Sequence, residues 1–89
     1  MTLLLDGTTQ ICNTRNYSVE VVEKLRALLQ TGAPADPDPH RAGFYDVHNG
    51  SRTFYIHVSP RGKVWLLASW LKPTAPPPIK QENLAAACS

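Results

Sequence analysis

Hydrophobic and polar residues alternate with a period of two along residues 43–71, as in strands with one buried face, and turn residues interrupt this pattern twice. The first interruption, Asn49-Gly50, favours a two-residue hairpin turn because both residues tolerate a positive φ. The second, Ser59-Pro60-Arg61-Gly62, has proline at the first central turn position and glycine at a left-handed position after it. We therefore predict a three-stranded antiparallel β-meander over residues 43–71.

The two turns also determine the predicted pairing and the two faces of this sheet. The first turn pairs Phe44 with Tyr55, and the second pairs His57 with Trp65. Side-chain alternation then gives one apolar face, suited to packing under a helix: Tyr45, Val47, Arg52, Phe54, Ile56, Val58, Val64, Leu66, Ala68 and Trp70. The opposite face, which we call the aromatic face, combines rings with polar groups: Phe44, Asp46, His48, Thr53, Tyr55, His57, Lys63, Trp65, Leu67 and Ser69.

One amphipathic helix is predicted over residues 17–32. Ser18 is a good N-cap, because its hydroxyl can accept a hydrogen bond from an amide of the first turn, and Gly32 can adopt the left-handed conformation that ends a helix. The apolar residues of this segment fall on one stripe: Val21, Val22, Leu25, Leu28 and Leu29. Such a stripe requires a sheet or a second helix to cover it.

These elements predict an α+β fold, with the helix packed on the meander, in a single small domain of residues 1–72. Residues 1–16 are poorly specified and are compatible with a short N-terminal strand, or a hairpin, along one edge of the sheet. Residues 33–42 are predicted to be a proline-rich extended connection. Residues 73–89, which are also rich in proline, are predicted to be a flexible tail.

Composition restricts the possible functions only moderately. A chain of 89 residues buries a low fraction of its surface, so a dimer interface or another partner would add stability. The net charge is +2, but residues 40–72 hold five Lys or Arg against Asp46 alone, which is compatible with an anionic partner. No hydrophobic run reaches the roughly 18 residues of a membrane span, and we expect a soluble, cytoplasmic protein.

The two cysteines give no sign of a metal site. Cys12 and Cys88 stand near opposite ends of the chain, without the spacing of zinc ligands or of a disulfide framework, and we predict that both are free thiols. The predicted pairing keeps His48 and His57 several residues apart. We therefore predict no metal site and no cofactor.

The aromatic face is the best candidate for function, because its rings outnumber what one helix on the other face can cover. We predict a non-catalytic interaction or regulatory module that self-associates as a homodimer, or binds another protein, through this face or through a strand edge. The alternative is that another part of the same chain, the N-terminal segment or the proline-rich tail, covers the rings. The candidate contact residues are Phe44, Tyr55, His57, Trp65, Arg61, Lys63 and Arg52.

Two alternative functions that involve nucleic acid remain open. Rings interleaved with basic groups suit single-stranded RNA or DNA, because bases stack on the rings while cations hold the phosphates. A helix followed by a small basic antiparallel sheet also resembles the ribonuclease toxins of the RelE class, which use Arg, Lys, Tyr or His on the sheet. In this chain the resemblance would involve Arg52, Tyr55, His57, Arg61 and Lys63.

Overall fold

The computed structural model describes residues 1–5 and 9–72 and has an α+β fold. One helix and six strands lie in this part of the chain: β1 (Thr2–Leu3), β2 (Ile11–Asn13), α1 (Val19–Thr31), β3 (Ala33–Pro37), β4 (Phe44–Asn49), β5 (Arg52–Val58) and β6 (Val64–Leu71). They form a single sheet in the order β1-β3-β4-β5-β6-β2. The predicted α+β class is confirmed, but the sheet is larger than a three-stranded meander and mixed, because β2 is parallel to β6.

The helix lies where its local signals predict it. Ser18 is the N-cap and its Oγ accepts a hydrogen bond from Val21 N at 3.4 Å, while Gly32 follows the helix with a φ of 92°. Leu25 and Leu29 are buried in the cluster that joins α1 to the sheet. Burial of each such side chain stabilises the fold by about 1.5–3 kcal/mol, so this apolar stripe holds the helix on the sheet.

The first predicted turn is displaced by one residue. Asn49 stays in β4 opposite Arg52, so Gly50 and Ser51 are the central turn residues and Phe44 lies opposite His57 instead of Tyr55. Gly50 alone supplies the positive φ, at 58°, and a glycine at the first central position is what a type II′ turn requires. The partner of each β4 residue is thus two positions further along β5 than predicted. Because side chains alternate with a period of two, this shift leaves every β4 residue on its predicted face.

The second turn has its predicted pairing, but a β-bulge follows within β6. His57 lies opposite Trp65, as predicted, whereas Tyr55 lies opposite Ala68, which leaves Leu67 as an extra residue. The bulge reverses the alternation of the rest of β6. We assigned Ala68 to the apolar face, which packs under α1 and is called the helix-side face below. That assignment is therefore wrong.

The other two residues of this stretch also change face. Trp70 packs in the aromatic-face cluster, and Ser69 lies opposite Phe54 on the helix side. Ser69 Oγ accepts a hydrogen bond from Arg52 at 2.8 Å. The bulge thus adds a second indole ring to the aromatic face and removes a hydroxyl from it.

The N-terminal residues form two strands that do not pair with each other. β1 lies beside β3 at one edge of the sheet, and β2 lies beside β6 at the other. The alternative of an N-terminal hairpin is therefore wrong, and the N-terminal residues lie along both edges of the sheet instead of along one. Along the sequence, α1 lies between each of these strands and its partner. No local sequence signal indicates pairing over such a distance.

The proline-rich connection contains a strand that we did not predict. β3 pairs with β4, with Ala35 opposite Val47, and both of its alanines, Ala33 and Ala35, are buried. Prolines are tolerated in β3 because their missing N–H groups are needed only where a neighbouring strand accepts them. Alanine alternating with Pro34 and Asp36 does not stand out as a hydrophobic pattern.

Two further predictions concern the C-terminal residues and the absence of a membrane span. Residues 73–89, for which we predict a flexible tail, lie outside the described residues. Within the described part, no helix has the length and apolar character that crossing a membrane requires.

Candidate functional site on the aromatic face

The aromatic face carries its own hydrophobic cluster, separate from the core under α1. Phe44, Tyr55, Leu67 and Ala68 are its buried members, with Trp65 and Trp70 packed against them. All six side chains come from β4, β5 and β6. The sheet therefore has a core on each side, and the helix supplies only one of them.

Three rings form a continuous row across the strands, which we call the aromatic row. The ring centroids of Phe44 and His57 are 4.4 Å apart, and those of His57 and Trp65 are 5.4 Å apart. Each ring lies directly opposite the next in the strand pairing, which brings facing side chains into contact. Tyr55 lies beside the row, 5.9 Å from the Phe44 ring.

A cation stands over each end of the aromatic row. The Arg41 guanidinium carbon is 3.7 Å from the Phe44 ring centroid, and Lys63 Nζ is 5.2 Å from the ring centroid of Trp65. Cations in such positions are attracted by the negative face of the ring, typically by about 0.5–1 kcal/mol at exposed sites. The ends of the row are therefore positively charged.

Tyr55 is held by a carboxylate from the connection between β3 and β4. Its hydroxyl donates a hydrogen bond of 2.7 Å to Asp38 Oδ2. Burial, followed by this bond and the nearby charge of Asp38, raises the pKa of Tyr55 to about 12. The same hydrogen bond, and a second one from the His40 amide, lower the pKa of Asp38. The Tyr55 hydroxyl is thus neutral near pH 7 and donates a hydrogen bond. Accepting a proton would require the phenolate form.

His57 is fixed by the backbone at the start of β4. Its Nδ1 lies 3.1 Å from Gly43 O, so the neutral tautomer that donates there carries its proton on Nδ1. Burial lowers the pKa of His57, and the positive charge of Arg41 lowers it further against the opposing effect of the Gly43 bond. The ring is therefore neutral at pH 7, with Nε2 as its acceptor.

Gly43 allows this close approach. It has a φ of 83°, and a Cβ atom there would lie 3.1 Å from His57 Cε1 and 3.3 Å from Val58 O. Any other residue would strain the backbone and press on the ring. A glycine just before a strand is the one sequence signal that could have identified this position.

His48 belongs to a separate polar group near the β3 edge. Its Nε2 is 2.8 Å from Asp36 Oδ2, and its Nδ1 is 3.4 Å from Thr53 Oγ1. Burial, together with the charges of Asp36 and Asp38, raises the pKa of neighbouring Asp46 against the opposing effect of His48. Among residues 1–5 and 9–72, no three His, Cys, Asp or Glu side chains are grouped so as to hold a metal ion.

The predicted contact residues are mostly brought together. Phe44, Tyr55, His57, Trp65 and Lys63 lie within the aromatic row or against it, and exposed Arg61 stands in the turn next to Lys63. Arg52 lies apart from them, on the helix-side face. Sequence reasoning did not select Arg41, Asp38 or Gly43, which reach the site from the connection before β4.

Cys12 lies at the β2 edge of the aromatic face and is not a free thiol. It is disulfide-bonded, so the prediction of a free thiol is wrong for this residue. It pairs with Trp65 across the parallel strands, and only 2% of it is exposed. Because disulfides are rare in reducing compartments, this bond does not favour the cytoplasmic location, which stays a prediction.

The indole of Trp65 has an unusual environment. Its Nε1 atom is buried and has no hydrogen-bond partner within the described part of the chain. An indole N–H is a donor only, and leaving one unsatisfied away from water is costly. Trp65 is therefore the point of the aromatic row where an added acceptor would gain most.

Comparison with protein-family models finds no match, and comparison with curated proteins and with solved structures finds no significant similarity. The geometry of the aromatic face is therefore the basis of the function proposed below.

Proposed function

We propose that this protein is a small non-catalytic interaction module that self-associates through the aromatic face. The observation that carries the proposal is the continuous aromatic row, which crosses three strands on the face that α1 does not occupy. Phe44 is buried, whereas His57, Trp65 and Trp70 are only partly buried and retain surface for a partner. Large rings of this kind dominate the energetics of protein interfaces.

The polar groups of the face support binding over catalysis. The hydroxyl of Tyr55 is used by Asp38, and Nδ1 of His57 is used by Gly43 O. The first bond holds Tyr55 beside the aromatic row, and the second holds His57 within it. A ribonuclease of the RelE class would need such groups free to exchange protons with a substrate, and a tyrosine with a pKa of about 12 is poorly suited to that role.

The aromatic face is also a better contact surface than the β6 edge. Past the end of β2, side chains occupy the remaining edge of β6. Thr14 Oγ1 donates to Leu66 O at 2.9 Å, and Tyr17 Oη accepts from Ser69 N at 2.9 Å. A partner strand would have to displace both hydroxyls. Side-chain blocking of this kind protects a sheet edge from pairing with another chain.

Size-exclusion chromatography with light scattering tests self-association. We expect the mass of the unmodified protein to rise from monomer towards dimer with concentration, and Trp65→Ala to remain monomeric. Leu4→Ala is the matched control, since Leu4 is a large apolar side chain that is 66% exposed and lies outside the aromatic face. A monomer at every concentration, for all three proteins, would exclude the homodimer.

Single-stranded nucleic acid is the second candidate partner. The observation that favours it is the pair of cations, Arg41 and Lys63, over the two ends of the aromatic row, with exposed Arg61 next to Lys63. Cations hold phosphates while bases stack on rings, and the affinity then falls steeply with added salt.

Fluorescence anisotropy with labelled single-stranded RNA and DNA pools tests this second candidate. We expect salt-sensitive binding that Lys63→Ala weakens, with a slope of log K against log salt that is smaller by about 0.7. Lys24→Ala, on the exposed face of α1, is the matched control and should bind as the unmodified protein does. Absence of binding at low salt would eliminate nucleic acid as the partner.

A further inference from the structure

We propose that two copies of this chain associate about a two-fold axis that runs along the strands, so that Asp36 of each copy lies against Lys63 of the other. The inference rests on the proposed function, because it specifies how two aromatic faces meet. It selects one arrangement from those that a face-to-face dimer allows.

Charge is distributed unevenly across the strands of the sheet. Residues 33–49, which contain β3 and β4, hold three aspartates against Arg41, a net charge of −2. Residues 50–72, which contain β5 and β6, hold four Lys or Arg and no Asp or Glu, a net charge of +4. The two halves of the sheet are therefore opposite in charge.

The acidic half presents its carboxylates on the aromatic face. The two alanines of β3 pack in the helix-side core, so alternation turns Asp36 towards the aromatic face, directly opposite Asp46. Like charges in such a pair destabilise a sheet. His48 Nε2 is 2.8 Å from Asp36 Oδ2, yet the Asp36 side chain is still 75% exposed. A further cation would stabilise this pair of carboxylates.

The basic half carries its cations at the opposite side of the same face. Lys63 Nζ lies 5.2 Å from the ring centroid of Trp65, and Arg61 is exposed in the turn before β6. The neighbouring strand β2, Ile-Cys-Asn, contains no acidic residue. Within residues 1–5 and 9–72, neither cation forms an ion pair with a carboxylate. Both cations are thus able to meet the carboxylates of a second copy.

Two-fold symmetry turns this uneven charge into a complementary interface. In an isologous dimer every contact occurs twice, with the two partners exchanged. An axis along the strands carries the β3 side of each copy over the β6 side of the other, and so pairs carboxylates with cations. An axis across the strands would carry β3 over β3 and pair like charges, which is costly at an interface. The charges therefore select the axis along the strands.

The position of the axis follows from the strand order. An axis between β4 and β5 places β3 over the β6 strand of the other copy, with the strands of the two sheets within about 30° of each other. The Trp65 end of each aromatic row, with Lys63 over it, then lies above the β3 strand that carries Asp36. Arg41 stands over Phe44 in β4, close to the axis, and so stays apart from the partner's Lys63.

Charge reversal tests this arrangement by sedimentation velocity at low salt. We expect Asp36→Lys and Lys63→Glu each to weaken dimerisation by about tenfold or more, because both symmetry-related contacts become repulsive. An equimolar mixture of the two variants restores both contacts in a heterodimer, and should dimerise within about threefold of the unmodified protein. Lys24→Glu, on the exposed face of α1, is the matched control and should leave dimerisation unchanged. Single variants that dimerise normally, or a mixture that stays monomeric, would overturn the arrangement.

The double variant D36K/K63E and added salt separate an effect of charge from damage to the fold. The double variant restores both contacts in a homodimer with the charges exchanged, so it should recover as the mixture does. At about 1 M salt, where the Debye length is about 3 Å, the single variants should approach the unmodified protein. Defects that persist in the double variant and at this salt concentration would overturn the proposal. Arg61→Glu, in an exposed turn, replaces Lys63→Glu if circular dichroism shows that the latter is unfolded.

The two proposals fail in different ways. If Trp65→Ala dissociates the dimer while the charge-reversed variants associate normally, self-association through the aromatic face stands and the two-fold arrangement is wrong. If the charge-reversed variants complement each other while Trp65→Ala dimerises normally, the oppositely charged sides meet and the aromatic row is not the contact. A monomer at every concentration of the unmodified protein would overturn both.

Discussion

Gly43→Ala is the substitution that most directly tests how the aromatic row is held. Gly43 has a φ of 83°, and its carbonyl accepts hydrogen bonds from His57 Nδ1 and from Val58 N. A residue with a Cβ atom pays about 1–2 kcal/mol for a left-handed backbone conformation. The new methyl group would also lie 3.1 Å from His57 Cε1, a tight contact that the ring can relieve only by shifting a few tenths of an ångström.

The cost of that contact can be separated from the cost of the backbone. Gly62 has a φ of 84°, almost the same as that of Gly43, but no atom lies within 4 Å of the position its Cβ would take. Gly62→Ala therefore measures the backbone cost alone. At Gly43 the His57 ring must also shift by a few tenths of an ångström, which adds about 0.5–1.5 kcal/mol if the side chain is driven off its rotamer. We expect Gly43→Ala to destabilise the protein by about 1.5–3.5 kcal/mol and Gly62→Ala by about 1–2 kcal/mol.

Urea unfolding of the oxidised proteins measures both differences, and proton NMR follows the imidazole of His57 in the same samples. In Gly43→Ala the shift exposes more of the partly buried ring to water, so its lowered pKa should move back towards 6.5, whereas Gly62→Ala should leave it unchanged. Equal losses of stability in the two variants, with an unaltered His57 titration, would refute our account of how Gly43 positions the ring.

Three further predictions concern pH and the sheet edge. The folded-state pKa of Tyr55, about 12, lies above its ordinary value of 10.0, so its contribution to stability is complete below pH 10 and is lost as the pH rises towards 12; alkaline unfolding of Tyr55→Phe should lack this loss. His57 has the opposite dependence, because its folded-state pKa is lowered: its contribution is present above pH 6.5 and disappears as the pH falls through the folded value, and His57→Gln should be less sensitive to acid between pH 7 and 5 in thermal unfolding. Tyr17→Phe removes the hydroxyl that accepts from Ser69 N, so hydrogen exchange should accelerate at the Ser69 amide and stability should fall by about 1 kcal/mol, and an unchanged exchange rate would show that the hydroxyl does not block this edge.

Local signals were sufficient for the helix and for one of the two turns. Ser18 and Gly32 act within a few residues of themselves, and so does the Ser59-Pro60-Arg61-Gly62 turn, in which Gly62 N donates to Ser59 O at 2.9 Å. The first turn was predicted one residue too early, because Asn and Gly in sequence suit more than one turn type. The faces of β4 survived this error because a pairing shift of two positions preserves parity.

The aromatic face was predicted in its main residues but not in its surroundings. Phe44, Tyr55, His57 and Trp65 follow from alternation, which is a property of each strand by itself. The bulge at Leu67, which brings Trp70 to this face, has no local signal. The same holds for Arg41 over Phe44 and for Asp38 on Tyr55, since both come from a connection whose path depends on β3.

The sequence by itself therefore determined the elements that short-range chemistry specifies: a capped amphipathic helix, an antiparallel meander with an apolar side, and a ring-bearing side opposite. Only the tertiary structure decided how distant segments join them. The parallel pairing of β2 with β6, the strand β3 and the bonded state of Cys12 all depend on residues brought together from far along the chain. The physical reason is that hydrophobic periodicity and turn preference act over a few residues, whereas strand partners and disulfide partners are selected by the packing of the whole chain.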